Sequence, residues 1–419
     1  MDDVLCSRKL RRPCSPPLSI DDLPGCMLME ILIRLPLKSI FQCKCVSKQW
    51  CTRISAPSFA GFVNRFHASS NSILQRPFSL LFHYHNNEHK MKLLVASEVP
   101  GFKSLASSIN QCDNDNVDDT VIQASCHDLL LCTKNMVSDD AGSSSMIVYN
   151  VINPITGKSV ALPPLRHSRR ARIGFIYRFN DNGINDHKQQ QVSYRVMRIP
   201  EFKGKSTKFK VDIFSSDTGK WSKSVVLCPQ GFWLGIFTFV GVPYNGLLFW
   251  WSLNERLVGF DPYTSKCCRV FDKLVELEPT RVERLGVCHG ALRICQLLGY
   301  PYNFAHPKLR VWELKDYDKG GKWCLEHEVY FNQMVSKKSP WLTKYITNRI
   351  LYVVVLAYHP YDRDIVYVKI QNKVVSCNMK RKILEVVCDI PLTHLFYNGC
   401  NVFNFVLPCW PTPIPSSPS

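Results

Sequence analysis

Three clusters carry side chains that could do chemistry. Cys126-His127-Asp128 sets a nucleophile, a base and an acid in a row. Consecutive residues of a strand point to opposite faces, however, so the three cannot converge as a triad. Cys288-His289 repeats the context and marks both as structural corners. His83, His85 and His89 lie close together, and alternation puts the first two on one strand face. No carboxylate follows at ligand spacing, so the cluster is expected to be a polar edge and not a metal centre. Gly320-Gly321 has neither the P-loop nor the dinucleotide-binding glycine spacing and is a turn. These residues predict no catalytic site, no metal and no cofactor.

The elements around them come from a chain of 419 residues, 46% apolar, with 9 Trp, 16 Tyr and 23 Phe. That is ample for a core and excludes global disorder. The formal net charge is +18, and Arg166 to Lys223 holds 14 Lys/Arg against 5 Asp/Glu, or +9. A basic surface attracts acidic protein, nucleic acid or anionic membrane. No interleaved aromatic pattern accompanies the charge, so nucleic acid is not the expected partner. The 19 Cys come without an export signal and without a C-x-x-C pair, and are expected as reduced, mostly buried thiols. Gly231–Leu253 is uncharged and long enough to span a bilayer, but Pro243-Tyr244-Asn245-Gly246 interrupts it. It reads as two strands and a turn, with no membrane partner. Arg8-Lys9-Leu10-Arg11-Arg12 lies in a leader, 1–19, expected to be flexible, and the expected location is nucleus, cytoplasm or both.

Residues 20–66 carry helical periodicity. Asp21-Asp22-Leu23-Pro24 starts a helix, Leu28, Ile31, Leu32 and Leu35 form an apolar face, and Pro36 stops it. Ser39 is placed as a second cap, before Ile40, Cys43 and Val46. Ser47 is a third, before Trp50 and Ile54, and Phe59, Phe62, Val63 and Phe66 keep the spacing after Pro57. So small a unit buries too little surface to be robust alone. Leu23-Pro24, Glu30 through Ile40 and Lys44 through Trp50 closely resemble the F-box of plant F-box proteins. The resemblance implies that Leu23, Pro24, Ile31, Leu35, Pro36 and Ile40 dock a Skp-family adaptor, which holds a cullin scaffold. Leu32, Cys45, Val46 and Trp50 are then the module's own core. Gly25-Cys26 departs from the family's acidic helix formers.

Residues 75–408 read as strands: Phe78–Phe82, Met146–Asn150, Phe209–Phe214, Leu247–Trp251, Leu309–Leu314, Leu351–Ala357 and Ile365–Ile370. No comparable amphipathic helix is expected after about residue 70. A strand, an Asn/Asp turn and a second strand recur at Val148–Lys158, Val211–Trp221 and Leu257–Lys266, with echoes from Leu309 and Val374. Turn-strand units at Cys126, Tyr244 and Cys288 accompany them. Spacings of roughly 40 to 65 residues fit four-stranded blades, about six in all. The strands near Phe78 and Phe403–Leu407 are expected to complete one blade between them. Asn153-Pro154-x-Thr156-Gly157 with Leu162-Pro163-Pro164-Leu165 resembles the kelch-like F-box-associated region of plant F-box proteins. The expected fold is thus α+β multidomain: a small all-α F-box module, then an all-β propeller. Residues 409–419, rich in proline, are expected as a disordered tail.

The expected function is positional: a non-catalytic substrate receptor of an SCF-type ubiquitin ligase, its propeller holding a protein client. Candidate client loops are Ser107–Asp119, Asn180–Gln191, Gly299–Pro307 and Asn332–Ser339, and basic Arg166–Arg172 suggests an acidic partner. The alternatives are an F-box protein acting outside ubiquitin ligation and a propeller that binds a small ligand or RNA.

Overall fold

The computed structural model describes residues 20, 23–56, 59–63, 66, 76–85, 91–96, 120–135, 146–168, 171–179, 192–202, 204–233, 240–272, 282–298, 307–348, 353–390, 402–408 and 410–415. The leader, His89 and two of the client loops, 107–119 and 180–191, lie outside them.

Three short helices open the described chain: α1 (Gly25–Leu32), α2 (Leu37–Cys43) and α3 (Lys48–Ser55). Pro24 and Pro36 precede the first two, where a proline's missing N–H costs nothing. Ser39 is therefore inside α2 and not its cap. Ser47 does cap α3, its Oγ accepting from Trp50 N at 3.2 Å. Leu28, Leu32, Ile33, Ile40, Trp50, Ile54, Phe59 and Val63 form the module's interior. Gly25 lies under Arg53 of α3: a Cβ there would meet Nη1 at 2.7 Å.

The remainder is a propeller, and six blades are present among the described residues. The first blade contains β1 (Phe78–His85) and β2 (Met91–Ala96). The second contains β3 (Thr120–Cys126), β4 (Leu129–Asn135), β5 (Met146–Asn153) and β6 (Lys158–Ala161), with β7 (Leu165–Arg166) beside β5. The third is β8 (Arg172–Phe179), β9 (Val192–Ile199), β10 (Ser206–Ser215) and β11 (Lys220–Phe232). The fourth is β12 (Val240–Tyr244), β13 (Leu247–Ser252), β14 (Arg256–Asp261) and β15 (Lys266–Phe271). The fifth is β16 (Val282–Cys288), β17 (Ala291–Leu298), β18 (Lys308–Lys315) and β19 (Lys322–Tyr330). The sixth is β20 (Val353–Tyr358), β21 (Ile365–Ile370), β22 (Lys373–Asn378) and β23 (Ile383–Asp389). The last strand, β24 (Val402–Val406), returns to the first blade and pairs antiparallel with β1, Phe78 opposite Val406 and Phe82 opposite Val402. The ring is closed by the two ends of the strand region, β1 and β24.

The repeated strand-turn-strand units are the outer hairpins of blades two to six, and the Cys126, Tyr244 and Cys288 units are inner hairpins. Asn245 and Gly246 both take positive φ, 46° and 75°, as a tight hairpin turn requires. Blades three and four also touch through a short parallel ladder, Ile173 to Val240 and Gly174 to Gly241. A Cβ on Gly241 would stand 2.4 Å from Trp250, so only glycine lets the ladder form over that ring.

Two larger features also depart from the sequence expectations. A helix, α4 (Pro340–Asn348), stands between β19 and β20. Proline suits its first turn, and Leu342 and Ile346, one turn apart, are buried in the core of blades five and six. The C-terminal segment 410–415 is not a loose tail. Trp410 is buried in the helical module, and Thr412 is buried against the propeller.

Candidate functional site

The helical module presents two kinds of apolar residue. Pro24, Met27 and Ile31 follow the i, i+3, i+7 rule and form an exposed stripe on α1, with Met27 57% and Ile31 45% exposed. Leu28 and Leu32, on the adjoining face, are buried. Of the residues assigned to docking, Leu23 and Leu35 are half-buried and Pro24 and Pro36 exposed. Ile40 is corrected: it is fully buried among Leu28, Leu32, Trp50 and Phe59 and has no surface to offer a partner. Of the assigned core, Leu32 and Trp50 are buried. Cys45 and Val46 are corrected in the other direction: both are exposed, Val46 by 64%. They follow the end of α2, where the chain tightens into i→i+3 bonds, Cys45 N to Gln42 O and Val46 N to Cys43 O. The helical phase that would have turned Val46 inward is lost there. Met27 was missed, although its spacing from Pro24 and Ile31 was a readable signal.

Trp410 completes the module from the other end of the chain. Its ring stacks on Phe41 at 4.5 Å and meets Phe59 edge-on at 5.3 Å, and Lys44 Nζ sits 5.1 Å from it. Two residues on, the propeller grips the backbone. Asp128 Oδ2 accepts from Thr412 N at 2.9 Å, and Asn153 Nδ2 donates to Thr412 O at 2.7 Å and to Asp128 Oδ2 at 3.0 Å. Tyr177 Oη donates to Pro413 O at 2.8 Å. Asn153 Oδ1 meanwhile accepts from Ile155 N and Thr156 N, so the residue that makes the hairpin turn also holds the tail.

The inner strands enclose a central cavity of about 600 Å³, walled by Val240–Pro243, Leu285–Val287 and Phe403 among others. Gly61, Pro408 and Thr412 line it too, so the helical module and the tail lie at one mouth. Gly61 presses against Phe179, where a Cβ would come to 2.8 Å. Cys126, His127 and Asp128 also face this mouth. Burial pushes the Cys126 thiol up to about 12, far from a reactive thiolate. Desolvation lowers the His127 pKa, and the ring packs edge-on to Tyr177 and Phe179. Desolvation raises that of Asp128, whose Oδ2 is occupied by the tail. The three groups serve packing and tail-holding. Among the described residues no set of His, Cys, Asp or Glu could hold a metal, and no helix is long and apolar enough to cross a membrane.

Of the loops named as client candidates, Asn332–Ser339 is tied down: Val335 N donates to Lys382 O and Val335 O accepts from Leu384 N, at 3.0 and 2.9 Å. Gly299–Pro307 lies outside the described residues except for Pro307.

Comparison with known proteins agrees with both halves. The F-box domain family matches residues 20–60, and the family described as F-box protein At3g26010-like, beta-propeller, matches residues 77–390. Three relatives are from Arabidopsis thaliana. F-box protein At5g07610 is 25% identical over 406 residues, covering 92% of this chain and 91% of that one. Putative F-box protein At3g23970 is 27% identical over 328 residues, covering 74% and 75%. F-box protein At3g26010 is 23% identical over 421 residues, covering 93% and 89%. With one match over the helices and the other over the ring, the chain belongs to the F-box proteins of the At3g26010-like β-propeller family.

Proposed function

We propose that this chain is the substrate-recognition subunit of an SCF-type ubiquitin ligase. The helical module docks a Skp-family adaptor and, through it, a cullin scaffold, while the propeller holds a protein client. The chain performs no catalysis; it raises the effective concentration of a client lysine near a charged conjugating enzyme. The observation that carries this reading is the bare stripe of Pro24, Met27 and Ile31 on a module whose interior is already filled. Apolar side chains at helical spacing are what a helix-in-groove interface needs.

The test is affinity capture from cells with the proteasome blocked. Met27→Asp and Ile31→Asp should each weaken adaptor capture by about 2 kcal/mol, roughly thirtyfold, with cullin lost in parallel. Ile40→Asp is not a docking probe, because it would charge the module's core. Undiminished adaptor capture by a folded Met27→Asp/Ile31→Asp variant would refute the docking face. Adaptor recovered without cullin would place the protein outside ubiquitin ligation.

A further inference from the structure

The basic stretch from Arg166 to Lys223 divides in two. Arg178, Arg195 and Arg198 are used inside the protein. Arg198 Nε and Nη2 hold Asp212 Oδ2 at 3.0 and 2.7 Å, and Arg195 Nη2 holds Asp217 at 2.6 Å. Arg178 and Arg195 also lie over the Tyr263 ring, at 3.9 and 4.4 Å. The lysines are left over. Lys208, Lys210, Lys220 and Lys223 are all exposed, and the acids of this hairpin, Asp212 and Asp217, are already taken.

Register sorts three of these lysines, Lys208, Lys210 and Lys223, onto one surface. In the β10–β11 ribbon Lys208 lies opposite Leu227, Lys210 opposite Val225 and Asp212 opposite Lys223. Cross-strand partners and alternate residues share a face. That face therefore carries Lys208, Lys210 and Lys223 around Val225 and Leu227, which are 46% and 62% exposed. The other face carries Phe209, Val211 and Val226, all buried. Blade two covers only the foot of the exposed face. Trp221 reaches it, Nε1 donating to Pro163 O at 2.8 Å, but β6 has 4 residues against 13 in β11. Among the described residues β11 pairs only with β10, so its outer edge is open.

We propose that this ribbon docks an acidic, extended protein segment. The segment adds a strand to the β11 edge, sets carboxylates against Lys208, Lys210 and Lys223, and packs small apolar side chains on Val225 and Leu227. Strand addition takes affinity from the backbone and specificity from alternate side chains. Lysines on an edge strand repel a like-charged edge, which excludes a second copy of this chain and admits an acidic one. RNA is disfavoured because the residues between the cations are Val and Leu, and the ring at the foot of the face, Trp221, is already packed on Tyr149 and Phe214. The inference deepens the receptor reading by naming the client's chemistry, and rests on it only for the fate of the bound segment.

The experiment uses the full chain and a fluorescent peptide of about twelve residues built from Glu-Thr-Val-Thr repeats, so that Glu and Val share one strand face. The peptide should bind, and more weakly as salt rises. Lys208→Glu/Lys210→Glu/Lys223→Glu should weaken binding by at least about tenfold, and Val225→Ser/Leu227→Ser by about threefold or more. Adaptor capture and melting temperature should be unchanged in both variants. Absence of peptide binding, equal binding by the charge-reversed variant, equal binding of a Gln-for-Glu peptide, or tighter binding of an oligouridylate of similar length would each overturn the proposal. A wild-type chain that fails to capture adaptor but shows this peptide pattern refutes the ligase reading alone and supports the strip.

Discussion

Asp128 is fully buried, yet only Oδ2 has partners; Oδ1 makes no hydrogen bond. Desolvation raises its pKa above the unfolded value. The folded chain therefore binds a proton more readily than the unfolded one. The stability this contributes is complete below about pH 4 and is lost as pH rises through the folded pKa. Asp128→Asn stays uncharged at every pH and should flatten that part of the stability–pH profile, measured by denaturant titration at several pH values. Asn153→Ala instead strips a donor from both Asp128 and Thr412 and should cost about 1–3 kcal/mol at any pH. The residue types of Cys126-His127-Asp128 were visible in the sequence. The partner of Asp128 was not, because Thr412 lies 284 residues away. The same limit explains Ile40 and Ile31. Helical spacing marks both as apolar-face residues, but which one is covered depends on α3, Phe59 and Trp410, which come from elsewhere in the chain.

The strands were the most legible elements, because three blades repeat a turn whose chemistry is local: Asn153, Asp261 and Asn378 accept from backbone N–H groups two or three residues on. The helix α4 was hidden because only two buried side chains, Leu342 and Ile346, mark its face. The C-terminal segment misled for a different reason. Its alternating prolines match the composition of a disordered tail, but composition does not register distant partners. Pro411, Pro413 and Pro415 have no N–H, so the segment has few backbone groups to satisfy, and Thr412 supplies the N–H that Asp128 takes. Trp410 then fills a place in the helical module that the module's own residues leave open. Trp410→Ala should destabilise that module by about 3–5 kcal/mol. Hydrogen exchange should show lost protection across α1–α3 with protection in β4, β9 and β17 retained. Equal loss in the blades, or none in the helices, would mean that the ring does not contribute a core residue to the module.

At the scale of the whole molecule, the C-terminal segment joins the ring to the helices. Strand β24 closes the first blade, Leu407 N donates to Pro77 O at 3.0 Å, and the chain then crosses the cavity mouth to Trp410 and Thr412. Among the described residues the helical module is held in two ways: by the tail, and by Gly61 on Phe179. A receptor that works by positioning gains from such bracing, since transfer depends on the client lysine staying near the conjugating enzyme. Proline-rich chain suits a brace, being extended and stiff. Thr412→Pro tests this at one residue. It removes the N–H that Asp128 holds while leaving Trp410 in the module and every propeller residue in place. Adaptor capture and acidic-peptide binding should both persist. Crosslinks between the helical module and blade two should spread over more residue pairs, and ubiquitin transfer to a bound client should fall by about threefold to tenfold as effective concentration drops. Unchanged transfer alongside broadened crosslinks would mean that nearness alone suffices and that the tail's grip serves stability only.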